Sequence, residues 1–276
     1  MNKHLLLDVY GTRWTFYTNE LNHLCYQRGS AKGEILLKNI TAEYDVAMDE
    51  NGHFHIVLQD AVGSLIYIKY DYNEWKKYVL LKNKHSLPKI SSIKIVMADN
   101  LPVAFYALEH NGQKLLAEHK IRWGVVTSPI IIDILSKGAV FDVCLDDEMC
   151  FHLVYKNEQG NAVYKIAPVG AKAFSAVEFP CEHDIVNVRL THDKYSNLHI
   201  IYIANISSYH ALFYFSTAGH ETKGLAFGIS PKSDLLLDVS GDVIRARWVD
   251  TERTFECVSK DNGKSFTKPM FIRKGK

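Results

Sequence analysis

Cysteine is scarce in this chain of 276 residues: the five present, Cys25, Cys144, Cys150, Cys181 and Cys257, are odd in number and show no Cys-x-x-Cys spacing. That pattern argues against a disulfide framework and against a zinc site, so the thiols read as reduced core residues. An excess of one charge is also missing. With 32 Lys and Arg against 31 Asp and Glu and a formal net charge of +1, there is no sequence-wide footprint for nucleic acid or an anionic membrane. No apolar run approaches the roughly 20 residues that span a bilayer, and Leu5-Leu6-Leu7 is far too short for a signal-peptide core. The expectation is a cytoplasmic monomer with no nucleic-acid or membrane partner. Catalytic signatures are lacking too: no Gly-x-Ser-x-Gly elbow, no His-Glu-x-x-His, no phosphate-binding Gly-x-x-x-x-Gly-Lys, no dinucleotide fingerprint. No catalytic residue, metal or cofactor is therefore expected.

What is abundant favours strands. Fifteen Tyr, 13 Phe and 4 Trp are scattered among many Val and Ile, side chains that suit a pleated, half-buried surface. The segment from Asp49 to Asp60 reads as a tight turn followed by an alternating strand, and the theme recurs six times. Central positions of the repeated strand align as Thr15, His55, Ala104, His152, His199 and Arg245. A spacing of about 40 to 50 residues suits a propeller blade of four strands. The two ends also match, Leu5-Leu6-Leu7-Asp8-Val9-Tyr10-Gly11 against Leu235-Leu236-Leu237-Asp238-Val239-Ser240-Gly241.

Within the second unit, strands are expected at 44–48, 54–58, 65–70 and 75–81, with Asn51-Gly52 supplying the positive φ of the first hairpin. Links such as 83–88 and 230–233 carry Pro and Ser but are too short for flexible domain linkers. The predicted fold is all-β: one domain, 1–276, forming a six-bladed β-propeller of four-stranded antiparallel blades with a period of about 46 to 49 residues. The blades are placed near 3–39, 40–83, 90–133, 138–180, 185–228 and 233–274. Closing blades into a ring protects strand edges. The first and last units each hold enough sequence for four strands.

One hairpin carries a family resemblance. Ser259-Lys260-Asp261-Asn262-Gly263-Lys264-Ser265-Phe266 resembles the Asp-box (BNR repeat) of sialidase-like propellers, a turn between the third and fourth strands of a blade. The resemblance implies a structural role for Ser259, Asp261, Gly263 and Phe266, away from the ligand face. It covers this hairpin alone, and the Arg-Ile-Pro segment of the enzymatic sialidases does not occur.

Two further patterns bear on function. His55, His152 and His199 sit at equivalent places in different blades, so a hydrogen-bonded structural role outweighs metal binding. Ten residues before the aligned positions stand Asp45, Lys94, Asp142 and Arg189, against Leu5 and Leu235 in the first and last units. These charges are either inter-blade ion pairs or part of a polar ligand mouth, together with Asp60, Glu109, Asn157, Asn205 and Asp250 from the loops after the repeated strand. The first expectation is a non-catalytic module that presents a polar face to a carbohydrate, peptide or protein partner. The competing expectations are a glycan-processing enzyme of the sialidase-like or another glycosidase type, and an assembly protein without a small ligand. Fold alone does not choose among them.

Overall fold

The structure is a computed structural model that describes residues 3–82, 89–122, 127–138, 140–219, 221–250 and 253–272. Six four-stranded antiparallel sheets, each built from four consecutive strands, make a six-bladed β-propeller with no helix among the described residues. Blade one contains β1 (Lys3–Leu7), β2 (Arg13–Thr18), β3 (Leu24–Arg28) and β4 (Glu34–Leu37). Blade two contains β5 (Ile40–Met48), β6 (Phe54–Asp60), β7 (Leu65–Tyr70) and β8 (Trp75–Leu81). Blade three contains β9 (Ile90–Ala98), β10 (Leu101–His110), β11 (Gln113–Lys120) and β12 (Ile130–Leu135).

Blade four contains β13 (Phe141–Leu145), β14 (Cys150–Lys156), β15 (Ala162–Pro168) and β16 (Ser175–Val177). Blade five contains β17 (Asp184–His192), β18 (Leu198–Ile206), β19 (Tyr209–Ser216) and β20 (Lys223–Phe227). Blade six contains β21 (Asp234–Ser240), β22 (Val243–Asp250), β23 (Arg253–Ser259) and β24 (Met270–Ile272). The chain divides into two compact units, Met1–Asp133 and Ile134–Lys276. The link at 83–88 lies outside the described residues.

In each unit the first strands of successive blades pack on one another, β1 on β5 and β5 on β9, then β13 on β17 and β17 on β21. The second strand of a middle blade is covered on both faces, which is why β6 and β18 read as continuous apolar runs rather than strict alternation. Core clusters lie between neighbouring blades: Trp14, Phe16, Phe54 and Ile68 join blades one and two, and Ile201, Tyr214, Ile244 and Trp248 join five and six. Each such side chain removed from water contributes about 1.5–3 kcal/mol.

Strand pairing corrects two alignments. Leu6 pairs with Trp14 as Ala47 pairs with His55, so the equivalent of the repeated histidine in blade one is Trp14, one residue before Thr15. By the same register Asp45, which pairs with Val57, corresponds to His4, which pairs with Phe16, and not to Leu5. The terminal Leu-Leu-Leu-Asp-Val segments also fold differently: Asp8 opens a turn, whereas Asp238 lies within β21 opposite Arg245.

Candidate binding site

The turn between the first and second strands fixes the chemistry of four blades. Asp8, Asp49, Asp146 and Asp193 each use Oδ1 to accept the backbone N–H four residues on, from Thr12 at 2.8 Å, His53 at 2.8 Å, Cys150 at 2.7 Å and Asn197 at 2.9 Å. The residue three after each Asp has positive φ: Gly11, Gly52, Met149 and Ser196. Oδ2 is then left to face the second strand. It meets Nε2 of His55 at 3.1 Å and of His152 at 2.9 Å, and lies 3.4 Å from Nε2 of His199. In blade one it accepts Nε1–H of Trp14 at 2.9 Å.

The other imidazole nitrogen, Nδ1, faces a tyrosine of the third strand: Tyr67 at 2.7 Å, Tyr164 at 2.6 Å and Tyr214 at 2.7 Å. A carboxylate only accepts, so Nε2 carries the hydrogen and Nδ1 accepts from the phenol. The imidazoles are therefore braces. Burial holds the His55 pKa down at about 4 and lowers that of His199, while Asp49 and Asp193, pushed up by burial, are held below the usual range by hydrogen bonds from their turns and histidines. Blade three exchanges the pair across strands: Tyr106 stands opposite Ala117 and His119 opposite Ala104, with 3.2 Å between the Tyr106 hydroxyl and His119 Nδ1. Blades three and six turn through two residues, Asp99-Asn100 and Gly241-Asp242, and place no Asp in this role.

The first-strand charges reach into the next blade. Asp45 Oδ2 accepts the Ile95 N–H at 2.9 Å while Oδ1 lies 3.4 Å from His4 Nδ1, and the Glu43 carboxylate accepts the Ser92 N–H. Asp142 Oδ2 accepts the Leu190 N–H at 2.9 Å, and its Oδ1 lies 3.5 Å from an Arg189 nitrogen. Arg189 Nε donates in turn to the Leu235 carbonyl at 3.2 Å. Lys94, on β9 opposite Phe105, neighbours Ile95. Carboxylates that accept backbone N–H groups across a blade boundary stitch those blades together.

The hairpin residues divide by role. Asp60 and Asn157 cap their turns, accepting the N–H of Ser64 at 2.7 Å and Asn161 at 2.8 Å. Asn205 donates to Asp184 at 2.8 Å, Glu109 is exposed near the end of β10, and Asp250 ends β22 opposite Arg253.

An open cleft of about 320 Å³ lies between blades five and six. From blade five come Tyr214 and Ser216 at the end of β19, Gly219 and Glu221 from the following loop, and Lys223 at the start of β20. The opposite wall is the β23–β24 turn, with Asn262, Gly263 and Lys264. The Asp-box sequence explains that wall. Ser259 Oγ accepts the Gly263 N–H at 2.8 Å and donates to Asp261 at 2.7 Å; Asp261 also takes the Ser265 N–H and hydroxyl, at 2.9 and 2.6 Å. Those bonds, Ser265's first, lower the Asp261 pKa to about 2.

Gly263, with φ of 81°, packs so closely on Tyr214 that any Cβ would strike the phenol. Phe266 packs against the same ring in a tilted arrangement, 4.7 Å between centroids. Tyr26 occupies the corresponding place in blade one, opposite Phe16 as Tyr214 is opposite Ile201, and meets Trp75 of blade two at 5.2 Å. With Trp14 in the histidine's place, the Tyr26 hydroxyl turns to Glu34 at 2.6 Å.

Sequence reasoning singled out Gly263 as structural and did not find Tyr214, Ser216, Glu221, Lys223, Asn262 or Lys264 as a group. The two walls lie about forty residues apart in sequence, and no charge or aromatic pattern links them. Among the described residues no three His, Cys, Asp or Glu side chains are grouped as metal ligands, all five cysteines are free, and no helix is long and apolar enough to cross a membrane.

The chain is similar over most of its length to solved propellers. A mutant of Aleuria aurantia lectin in complex with alpha-methyl-L-fucoside shares 9% identity and a TM-score of 0.62, over 98% of this chain and 94% of that one. The BP39L lectin from Burkholderia pseudomallei shares 10% identity and a TM-score of 0.66, over 98% and 83%. A polysaccharide lyase, the PL25 ulvan lyase bound to -[GlcA(1-4)Rha3S]-, shares 12% identity and a TM-score of 0.61, over 95% and 81%. Likeness at such identities is likeness of fold. No protein-family model matches the chain, and no curated protein matches it.

Proposed function

We propose that this propeller is a non-catalytic carbohydrate-binding module whose ligand enters the cleft between blades five and six. The observation that carries the reading is the cleft itself, an open space between neighbouring blades floored by the buried Tyr214 and Ser216 and flanked by Glu221, Lys223, Asn262 and Lys264. A pyranose presents a rim of hydroxyls, and the accessible side chains of the cleft, Lys223, Glu221 and Lys264, offer it charged donors and an acceptor. Fucose-binding propellers with the same fold support a saccharide over a peptide. Tyr214 is buried and held by the His199 bond and by Phe266, so it stiffens the floor of the cleft and is not itself a stacking surface.

Glu221, four-fifths exposed, is the sole carboxylate among the described residues that line the cleft, whereas glycoside hydrolysis ordinarily uses two. That favours binding over turnover. The Asp-box hairpin is the feature that favours kinship with sialidase-like propellers and a glycan-processing enzyme. Of the first-strand charges, Arg189 is the candidate for an additional ligand contact, because 35% of its side chain is exposed beside Asp142.

The proposal includes a monomer in the cytoplasm. A glycan array combined with a screen of chromogenic glycosides tests the reading: saccharide binding without hydrolysis is expected. Hydrolysis that co-purifies with the chain and is lost in Glu221→Gln or Asp142→Asn at unchanged Tm would replace it with the enzyme.

A further inference from the structure

We infer that the cleft between blades five and six selects sugars bearing an anionic substituent, a carboxylate or a sulfate ester, with Lys223 and Lys264 as its cationic contacts. This rests on the carbohydrate-binding reading and names the class of ligand. The two ammonium groups come from opposite walls, Lys223 from the start of β20 and Lys264 from the β23–β24 turn. An anion seated between them is contacted from both blades.

Neither lysine is committed elsewhere. Lys223 lies 3.5 Å from Glu221, but that carboxylate is 80% exposed, and an ion pair so placed contributes about 0–1 kcal/mol. A ligand anion can displace it. Lys264 makes no ion pair among the described residues. Its neighbour Asp261 spends Oδ1 on Ser259 and Ser265 and Oδ2 on the Ser265 hydroxyl, so that charge serves the turn.

A second observation concerns hydrogen bonding. Asn262 Oδ1 is shielded from water and has no hydrogen-bond partner, although its residue lines the cleft and is held at φ of 55° by the turn. A shielded acceptor without a donor is costly, and a turn of the Asn262 amide toward the cleft would bring it to a ligand hydroxyl. Two cationic donors and one waiting acceptor together describe a ligand with an acidic group and a free hydroxyl. An acidic sugar carries both; an inorganic anion carries only the first.

The test is calorimetric titration with matched methyl glycosides: glucoside against glucuronide, and galactoside against galactoside 6-sulfate, with inorganic sulfate as a further ligand. The acidic member of each pair is expected to bind at least tenfold more tightly at low salt. The gap should close in Lys223→Gln/Lys264→Gln and narrow between 0.05 and 0.5 M NaCl, where screening shortens the Debye length to roughly 4 Å. Asn262→Gly, which keeps the turn's backbone freedom, should weaken the neutral and acidic members alike.

Both lysines are solvent-accessible, so an unchanged Tm in the double variant verifies that a lost gap is not lost folding. Equal binding of neutral and acidic sugars, or a gap that survives the double variant, overturns the anionic selection and leaves the carbohydrate reading intact. Sulfate binding as tightly as the sulfated sugar overturns the sugar requirement. Failure of every saccharide on a broad array overturns both readings together.

Discussion

Acidification should destabilise this fold well above the carboxylate range, and His55 shows why. Its ring is wholly buried, with Nδ1 2.7 Å from the Tyr67 hydroxyl and Nε2 3.1 Å from Asp49. The neutral ring satisfies both partners. A second proton would put a donor at Nδ1 against a phenol already donating there, and would bring a charge into the core. Burial outweighs the attraction of Asp49 and lowers the pKa from 6.5 to about 4.

The unfolded chain therefore takes up this proton first as pH falls. The stability is present in full above the unfolded value and is lost progressively between about pH 6.5 and pH 4. Going from pH 7 to pH 4.5 should cost about 2 kcal/mol from this residue. His199, also lowered, adds in the same direction. Asp8, Asp49 and Asp193 have depressed pKa values and act in a separate window, contributing above about pH 4 and losing that contribution only as pH falls through their folded values. Urea denaturation at both pH values, for the wild type and His55→Gln, measures the effect. The variant should be weaker at pH 7 and lose less on acidification. An equal loss in both proteins would refute the account.

Three substitutions probe other parts of the structure. Met149→Gly should stabilise by about 0.5–1 kcal/mol in thermal denaturation, because Met149 holds φ of 62° where Gly11 and Gly52 stand in sister turns. Gly263→Ala should cost about 1–3 kcal/mol, since a Cβ would fall against the Tyr214 ring in a backbone region that favours glycine. Asp142→Ala should cost about 1–3 kcal/mol by leaving the Leu190 N–H without its acceptor, and hydrogen exchange at Leu190 should quicken.

The architecture was readable because it is written in local chemistry. Alternating strands and turn residues repeat, so blade two was expected with strands at 65–70 and 75–81, as found. Turn length was less readable, and it shifted the alignment of blade one by a residue, from Thr15 to Trp14. The Asp-His-Tyr brace was present in the sequence as an Asp six residues before each histidine and a tyrosine 12 to 15 after it. It became legible only when pairing showed that Tyr67 and Tyr214 share one position. The cleft was not legible at all, because its walls come from different blades and its selectivity depends on which charges are already spent.

The most direct test fills the cleft. A Cβ at Gly219 would meet nothing within 4 Å, and the backbone there is ordinary, so Gly219→Trp should fold with an unchanged Tm while projecting an indole into the space the ligand needs. Wild-type protein on a glycan array is expected to retain a defined set of saccharides, and the tryptophan variant is expected to lose that set. Retention of the same saccharides by the variant, or the absence of any saccharide binding by the wild type, would contradict the assignment of this propeller as a glycan-binding module that works through the cleft.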